Sequence, residues 1–150
     1  MSMALRRTVT PGLMFFLFAF GFLVSCSKKN DTQQPVIPYV MVNFFIMPNT
    51  TQFIELNHIG GYVPVTGGYR GIIIYRKSEN EFMAFDRACA YDPTADSAQV
   101  RVDVSGITCY CPKCKSKYIL LDGSPYDGPT QWPLKQYRSY YDGTYLYITN

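Results

Sequence analysis

The side chains best suited to chemistry in this 150-residue chain are its five cysteines. One stands in Cys89-Ala90-Tyr91, and three lie together in Cys109-Tyr110-Cys111-Pro112-Lys113-Cys114-Lys115-Ser116. Thiolates bind soft metal ions, and a C-x-x-C turn such as Cys111 to Cys114 supplies two of the four ligands of a tetrahedral zinc site. The usual partner of such a turn is a second C-x-x-C, and Cys89-Ala90-Tyr91 is not one. In an oxidising compartment the same four side chains form disulfides, with three pairings open. Cys109 precedes Cys111 by two residues, so in a strand both point to the same side.

The fifth cysteine belongs to a different feature. Arg6 and Arg7 form a positive start, and Leu13 to Val24 (LMFFLFAFGFLV) is an almost unbroken apolar run. The run is short for a bilayer, which needs about 20 apolar residues. It ends in Leu23-Val24-Ser25-Cys26, the pattern of a lipoprotein signal peptide cleaved before its cysteine. Residues 1–25 are therefore expected to be removed, and Cys26 to carry lipid that anchors the chain to a bacterial membrane. Ser27 after that cysteine favours the outer membrane, facing the periplasm or the cell surface. Residues 26–38, from Cys26 through the polar run to Pro38, read as a tether.

The elements that position the remaining cysteines must come from residues 39–150. Losing Arg6 and Arg7 lowers the formal charge from +3 to +1, so nothing points to a nucleic-acid partner. Tyr, Val, Ile, Phe and Thr are abundant, turns are rich in Gly, Pro, Asp and Asn, and no helical period is sustained. The expectation is one all-β, antiparallel domain. Candidate strands are Tyr39–Ile46, Gly61–Val65, Gly71–Arg76, Glu81–Asp86, Gln99–Val104, Ile107–Cys109, Lys117–Leu121, Lys135–Tyr141 and Thr144–Ile148. Gln52–Leu56 reads as a short strand or turn, and 124–133 as a Pro-rich loop. Asp142-Gly143 between two alternating runs marks a hairpin. The pattern is that of a meander with two cysteine-bearing loops set into its middle.

The order of these pieces resembles the Rieske iron–sulfur domain family. Cys89 matches the first loop of pattern C-x-H. Cys111-Pro112 and Ser116 match the second, C-P-x-H-G-S. Tyr118, Asp122-Gly123, Gly128-Pro129 and Pro133-Leu134-Lys135-Gln136-Tyr137 match the aromatic, the D-G turn, the Pro loop and its exit. The resemblance covers roughly residues 60–150. It implies a small antiparallel domain whose two loops form a cluster-binding subdomain, a 2Fe–2S cofactor and electron transfer. Three departures stand out. Tyr91 and Cys114 occupy the positions of the family's two histidine ligands, and Lys115 replaces a glycine. The extra cysteine pair that often ties the family's loops together is missing, with Thr94 and Lys113 near those places.

Three readings of the site follow. The first is an altered cluster held by Cys89, Cys111 and Cys114, with Tyr91 or Cys109 as the fourth ligand. Thiolate in place of imidazole adds negative charge and lowers the potential. The second is structural zinc. The third is a metal-free, disulfide-bonded binding or structural lipoprotein. All three describe a module rather than a complete enzyme, because the chain has no room for the catalytic iron domain of ring-hydroxylating relatives. The partners expected are the membrane, through the anchor, and a redox or envelope protein.

Other residues attract a bland reading. The single histidine, His58, reads as a loop residue without a partner. Asp86 and Asp92 read as solvated acids beside Cys89, and Gly60-Gly61 and Gly67-Gly68 as turns. Tyr137, Tyr140, Tyr141, Tyr145 and Tyr147 read as strand tyrosines rather than a sugar-stacking face. No Ser, His and Asp set serves acyl transfer, and no carboxylate pair suggests a glycosidase.

Overall fold

The computed structural model describes residues 33–150, so the expected signal peptide, Cys26 and the first part of the tether lie outside the described residues. Residues Gln33–Asn150 form one compact unit. Among them no helix is long and apolar enough to cross a membrane.

Ten strands are present among the described residues, in two antiparallel sheets. The larger has the order β1 (Asn43–Ile46), β10 (Leu146–Thr149), β9 (Gln136–Tyr141), β4 (Phe82–Asp86), β3 (Ile72–Arg76) and β2 (Tyr62–Val65). The smaller is β5 (Arg101–Val102), β6 (Thr108–Tyr110), β7 (Lys117–Ile119) and β8 (Pro125–Asp127). All of the smaller sheet lies in sequence between β4 and β9, which pair with each other.

The apolar run at the start of the β3–β4 hairpin follows from where that hairpin sits. Side chains alternate across a strand. Ile72, Ile74, Phe82 and Ala84 join one core with Val42, Leu56, Leu146 and Ile148. Ile73, Tyr75, Met83 and Phe85 join a second core with Val100, Tyr118, Leu120 and Leu134. Both faces are buried, so Ile72-Ile73-Ile74-Tyr75 shows no polar alternation. Each fully buried Ile or Phe here contributes about 1.5–3 kcal/mol. The second core also contains Cys89, Cys109 and Cys111, so the large sheet is the floor on which the cysteine loops rest.

The expected all-β antiparallel fold is present, with several differences of detail. The order is not a simple meander: β1 pairs with β10, and β4 with β9, across long stretches of chain. Gln52–Leu56 lies within a 3-10 helix, Thr51–Asn57, kinked at Phe53, with Leu56 as its buried residue. The strand expected over Gln99–Val104 shrinks to Arg101–Val102. Asp103 withdraws its backbone into a turn, with its carboxylate accepting from Thr108 Oγ1 at 2.7 Å and from Ser105 N at 2.7 Å. The Pro-rich loop contains a strand, β8, that pairs with β7 across a bulge. Pro125 is tolerated because it opens an edge strand. The Lys117–Asp127 ion pair at 2.8 Å crosses that pairing, but both groups are open to solvent, which screens their attraction, so it adds little to stability.

Candidate functional site

The first cysteine loop leaves β4 and returns to β5. Its neck is closed by the Ala88–Gln99 bridge, by Cys89 N donating to Ala98 O at 2.9 Å, and by Val100 N donating to Arg87 O at 2.7 Å. The second loop joins β6 to β7. It is a tight turn in which Lys115 N donates to Cys111 O at 2.9 Å and Cys111 N to Ser116 O at 2.8 Å. Lys115 takes the left-handed conformation, φ +67°, which glycine adopts most easily. The backbone thus keeps a glycine-type turn although the residue is lysine.

The Gly128-Pro129 segment packs directly on the second loop. A Cβ on Gly128 would stand 2.5 Å from Ser116 Cα, and its φ is +95°. Thr130 N then donates to the buried Ser116 Oγ at 3.2 Å. The segments that carry the family resemblance therefore meet around one point.

At that point the Sγ atoms of Cys89, Cys111 and Cys114 all lie within 4.8 Å of one another. Cys89 Sγ is 3.3 Å from Cys114 Sγ. Cys89 and Cys111 are buried, and Cys114 is partly exposed. Tyr118, fully buried, brings its hydroxyl to 3.4 Å from Cys89 Sγ, and the same oxygen accepts from Ala90 N at 3.1 Å. Cys114 Sγ is 3.1 Å from Ser116 Oγ. Burial pushes the Cys89 thiol up to about 12, against the opposing pull of the Tyr118 hydroxyl and the Tyr91 amide. Burial also acts to raise Cys114, but donors from Ser116, with Cys89 and Cys111 beside it, outweigh burial and hold it below the ordinary thiol value. One sulfur of the group is thus predisposed to ionise while its neighbour is not.

The remaining candidates lie apart from this group. Cys109 is buried opposite Tyr118 in the β6–β7 register and is outside the trio, with burial pushing its thiol up to about 12. Tyr91 is 49% exposed, whereas Cys89 and Ala90 before it are buried. His58 is exposed at the end of the 3-10 helix, as expected of a loop histidine.

Two residues that shape the site carry no obvious sequence signal. Asp86 is fully buried rather than solvated. Its Oδ1 accepts from Ala88 N at 2.8 Å and Arg70 N at 3.2 Å, and its Oδ2 from Tyr69 N at 2.6 Å and Tyr137 Oη at 2.7 Å. Tyr137 is correspondingly a buried partner of Asp86. A Cβ on Gly68 would stand 2.5 Å from Asp86 Oδ2, so only glycine lets the 67–70 turn reach this carboxylate. Arg70, turned by the same contact, donates to Pro93 O and Ala95 O, both at 2.8 Å, and so grips the first cysteine loop. The only available hint was a Gly-Gly turn before a strand that ends in Asp.

The donor set suits a thiophilic metal. Three sulfurs from two loops converge, and hydroxyl groups sit against two of them. As arranged they surround one point rather than forming two separated pairs. A two-iron group would draw on Cys89, Cys111 and Cys114 as donors, and its entry would require the Cys89–Cys114 contact to part.

No protein-family model matches the chain, and no curated protein matches it. Among solved structures it is similar to the complex of reduced oxygenase and oxidized ferredoxin in carbazole 1,9a-dioxygenase, with 20% identity over 61% of this chain and 82% of that chain, TM-score 0.45. It is also similar to the ferredoxin of carbazole 1,9a-dioxygenase from Nocardioides aromaticivorans IC177, with 15% identity over 61% of this chain and 86% of that chain, TM-score 0.44. Likeness at this level carries neither a ligand set nor an activity over to this chain.

Proposed function

We propose that this protein is a lipid-tethered electron-transfer module of the bacterial envelope, with an iron–sulfur centre between its two cysteine loops. The observation that supports this most is the convergence of Cys89, Cys111 and Cys114, from loops far apart in sequence, to within 4.8 Å. In this reading those three residues hold a 2Fe–2S group, with Tyr91 or Cys109 as the fourth ligand. Such a group, when bound, takes up and releases one electron. The chain's own residues place and tune the ligands. The Tyr118 hydroxyl and Ser116 hydroxyl lie against the Cys89 and Cys114 sulfurs and favour their anionic forms, as ligation requires. Asp86 and Arg70 fix the first loop, and Gly128 lets the Pro loop cover the second. Lipid on Cys26, after removal of residues 1–25, keeps the module at the membrane, where a redox or envelope protein is its partner.

The 3.3 Å contact between Cys89 Sγ and Cys114 Sγ favours a second reading. A disulfide needs those sulfurs at about 2.05 Å, a short further approach. That bond would staple the two loops together without metal, leaving a binding or structural lipoprotein.

One sample separates the readings. The mature chain is purified without oxygen and reconstituted with iron and sulfide, and metal, free thiols and the visible spectrum are measured. A coloured protein with about two irons per chain supports the cluster. A colourless protein that takes up no iron and carries a Cys89–Cys114 disulfide by peptide mapping refutes it. One zinc with protected thiols also refutes it, in favour of structural zinc.

A further inference from the structure

The segment around β1 carries exposed apolar side chains as well as buried ones. Val42 and Ile46 point into the core, as a half-buried strand requires. Of the alternate positions only Asn43 is polar, and Tyr39, Met41, Phe45 and Met47 are 72%, 77%, 58% and 43% exposed. The register extends this surface across three strands. Phe45 stands opposite Tyr147, and Tyr147 opposite Tyr140. Phe45 packs on Tyr145 and Tyr147 at 5.3 and 5.9 Å between centroids, and Tyr140 stacks on Tyr147 at 6.2 Å. These tyrosines remain 36–67% exposed. The flanking charges are mostly cationic: Arg138, two residues before Tyr140 on the same strand face, and Lys135, over the Tyr39 ring at 5.9 Å. The acid beside the patch is Asp142, engaged by Tyr147. A contiguous apolar patch of this kind marks a surface that something covers.

The chain outside the structure says what covers it. Twelve residues separate Cys26 from Tyr39. A random coil of that length has a root-mean-square span of about 20 Å. Tyr39 is thus both the end of the tether and the start of the patch, so a lipid on Cys26 brings this face to the bilayer before any other. Tyrosine rings, methionines and a cationic border suit the headgroup level, where aromatic side chains collect. At such short range even a weak interface is occupied, because the tether makes docking intramolecular.

We propose that the outer face of β1, β10 and β9 seats on the membrane that holds the anchor, which fixes the orientation of the domain there. This rests on the lipoprotein reading of Cys26. It is independent of which group the cysteines bind.

The test is hydroxyl-radical labelling of the lipidated mature chain on vesicles of phosphatidylcholine and phosphatidylglycerol. The labelling is repeated after the tether is cut by protease to release the compact unit. Labelling of Met41 and Phe45 should be at least about fivefold lower on vesicles than after release, with Tyr91 and Tyr126 unchanged. Equal labelling of Met41 and Phe45 in the two states overturns the proposal. Protection that persists after release, in a unit that sediments as a dimer, also overturns it and assigns the face to a second copy. If Cys26 proves to carry no lipid, the anchor reading fails separately. The same labelling on nickel-chelating vesicles, with a histidine tag in place of residues 1–26, then decides the face by the same two outcomes. Met41→Glu together with Phe45→Glu alters only exposed positions and should restore labelling of Tyr140 on vesicles; continued protection of Tyr140 counts against the proposal.

Discussion

Tyr118→Phe tests whether the tyrosine hydroxyl builds the site or merely borders it. The ring is fully buried in the second core, and phenylalanine preserves that packing. What disappears is one oxygen. It accepts from Ala90 N at 3.1 Å and touches Cys89 Sγ at 3.4 Å. Ala90 is 1% exposed, so its N–H loses its partner where water does not reach. Leaving a buried donor unsatisfied costs about 1–3 kcal/mol. For a domain near 120 residues the unfolding entropy is about 0.25 kcal/mol per degree, so the melting temperature should fall by about 4–12 °C. The assay is thermal and urea unfolding of the reduced, chelator-treated mature chain, which removes any contribution from metal or disulfide. Cys89 supplies a second readout, because it is 1% exposed and reacts only when the fold opens. Under native conditions its alkylation at fixed pH should therefore speed as the fold weakens. A stability loss below about 0.5 kcal/mol would refute the reasoning, since Ala90 N would then have another partner or reach water.

Three further outcomes follow from the same geometry. Asp86→Asn replaces one acceptor oxygen by an NH2 in a site where both oxygens already face two donors, so it should cost about 3–5 kcal/mol by urea unfolding. Lys115 holds φ +67°, so Lys115→Val should lose about 1–2 kcal/mol while Lys115→Gly should be neutral or stabilising, both read as shifts in urea midpoint. Cys109 sits near 12 when folded, above its unfolded value near 8.5, so the native state keeps a proton that the unfolded chain releases. Its contribution is complete below about pH 8.5 and is lost as pH rises toward 12, by at most about 1.4 kcal/mol per unit. Cys109→Ala should therefore flatten the fall in urea midpoint between pH 8.5 and 10, whatever it does to the midpoint at pH 7.

The strands and their chemistry were legible where local signals and burial agreed. The hairpin of β3 and β4 declared itself by its apolar run and polar turn, and β9–β10 by Asp142-Gly143 between alternating residues. The 3-10 helix and β8 were not legible, because neither has a pattern of its own. Leu56 docks a single turn into the core, and Pro125–Asp127 become a strand only because β7 offers an edge. The pairing of β4 with β9 is set by packing between residues about 50 apart, which no local window contains. Within the site, the two cysteine loops were readable as segments, but Cys89, Cys111 and Cys114 meet because the strands that carry them pack into one core, not because of their spacing. Asp86 was misread because an acid beside a cysteine loop looks solvated. Its burial becomes affordable only when the 67–70 turn, Ala88 and Tyr137 deliver four donors at once.

Positions 91 and 114 set their side chains differently, and the reason is the loop that carries each. The second loop keeps its turn, with a left-handed residue 115, Ser116 buried beneath it and Gly128 pressed against Ser116. Position 114 is therefore fixed by the turn, and its sulfur comes to 3.3 Å from Cys89. At position 91 the opposite happens. Tyrosine is long, and it lies 49% exposed. The two loops thus gather three sulfurs within 4.8 Å of one another and leave the Tyr91 ring half-exposed. Thiolates also repel one another more than neutral imidazoles do, so a trio this close is stable only when protonated, bonded together or neutralised by a cation. The state of the site is consequently set by whichever of proton, disulfide or metal its surroundings supply, while the strands beneath it hold the three sulfurs in place for all three.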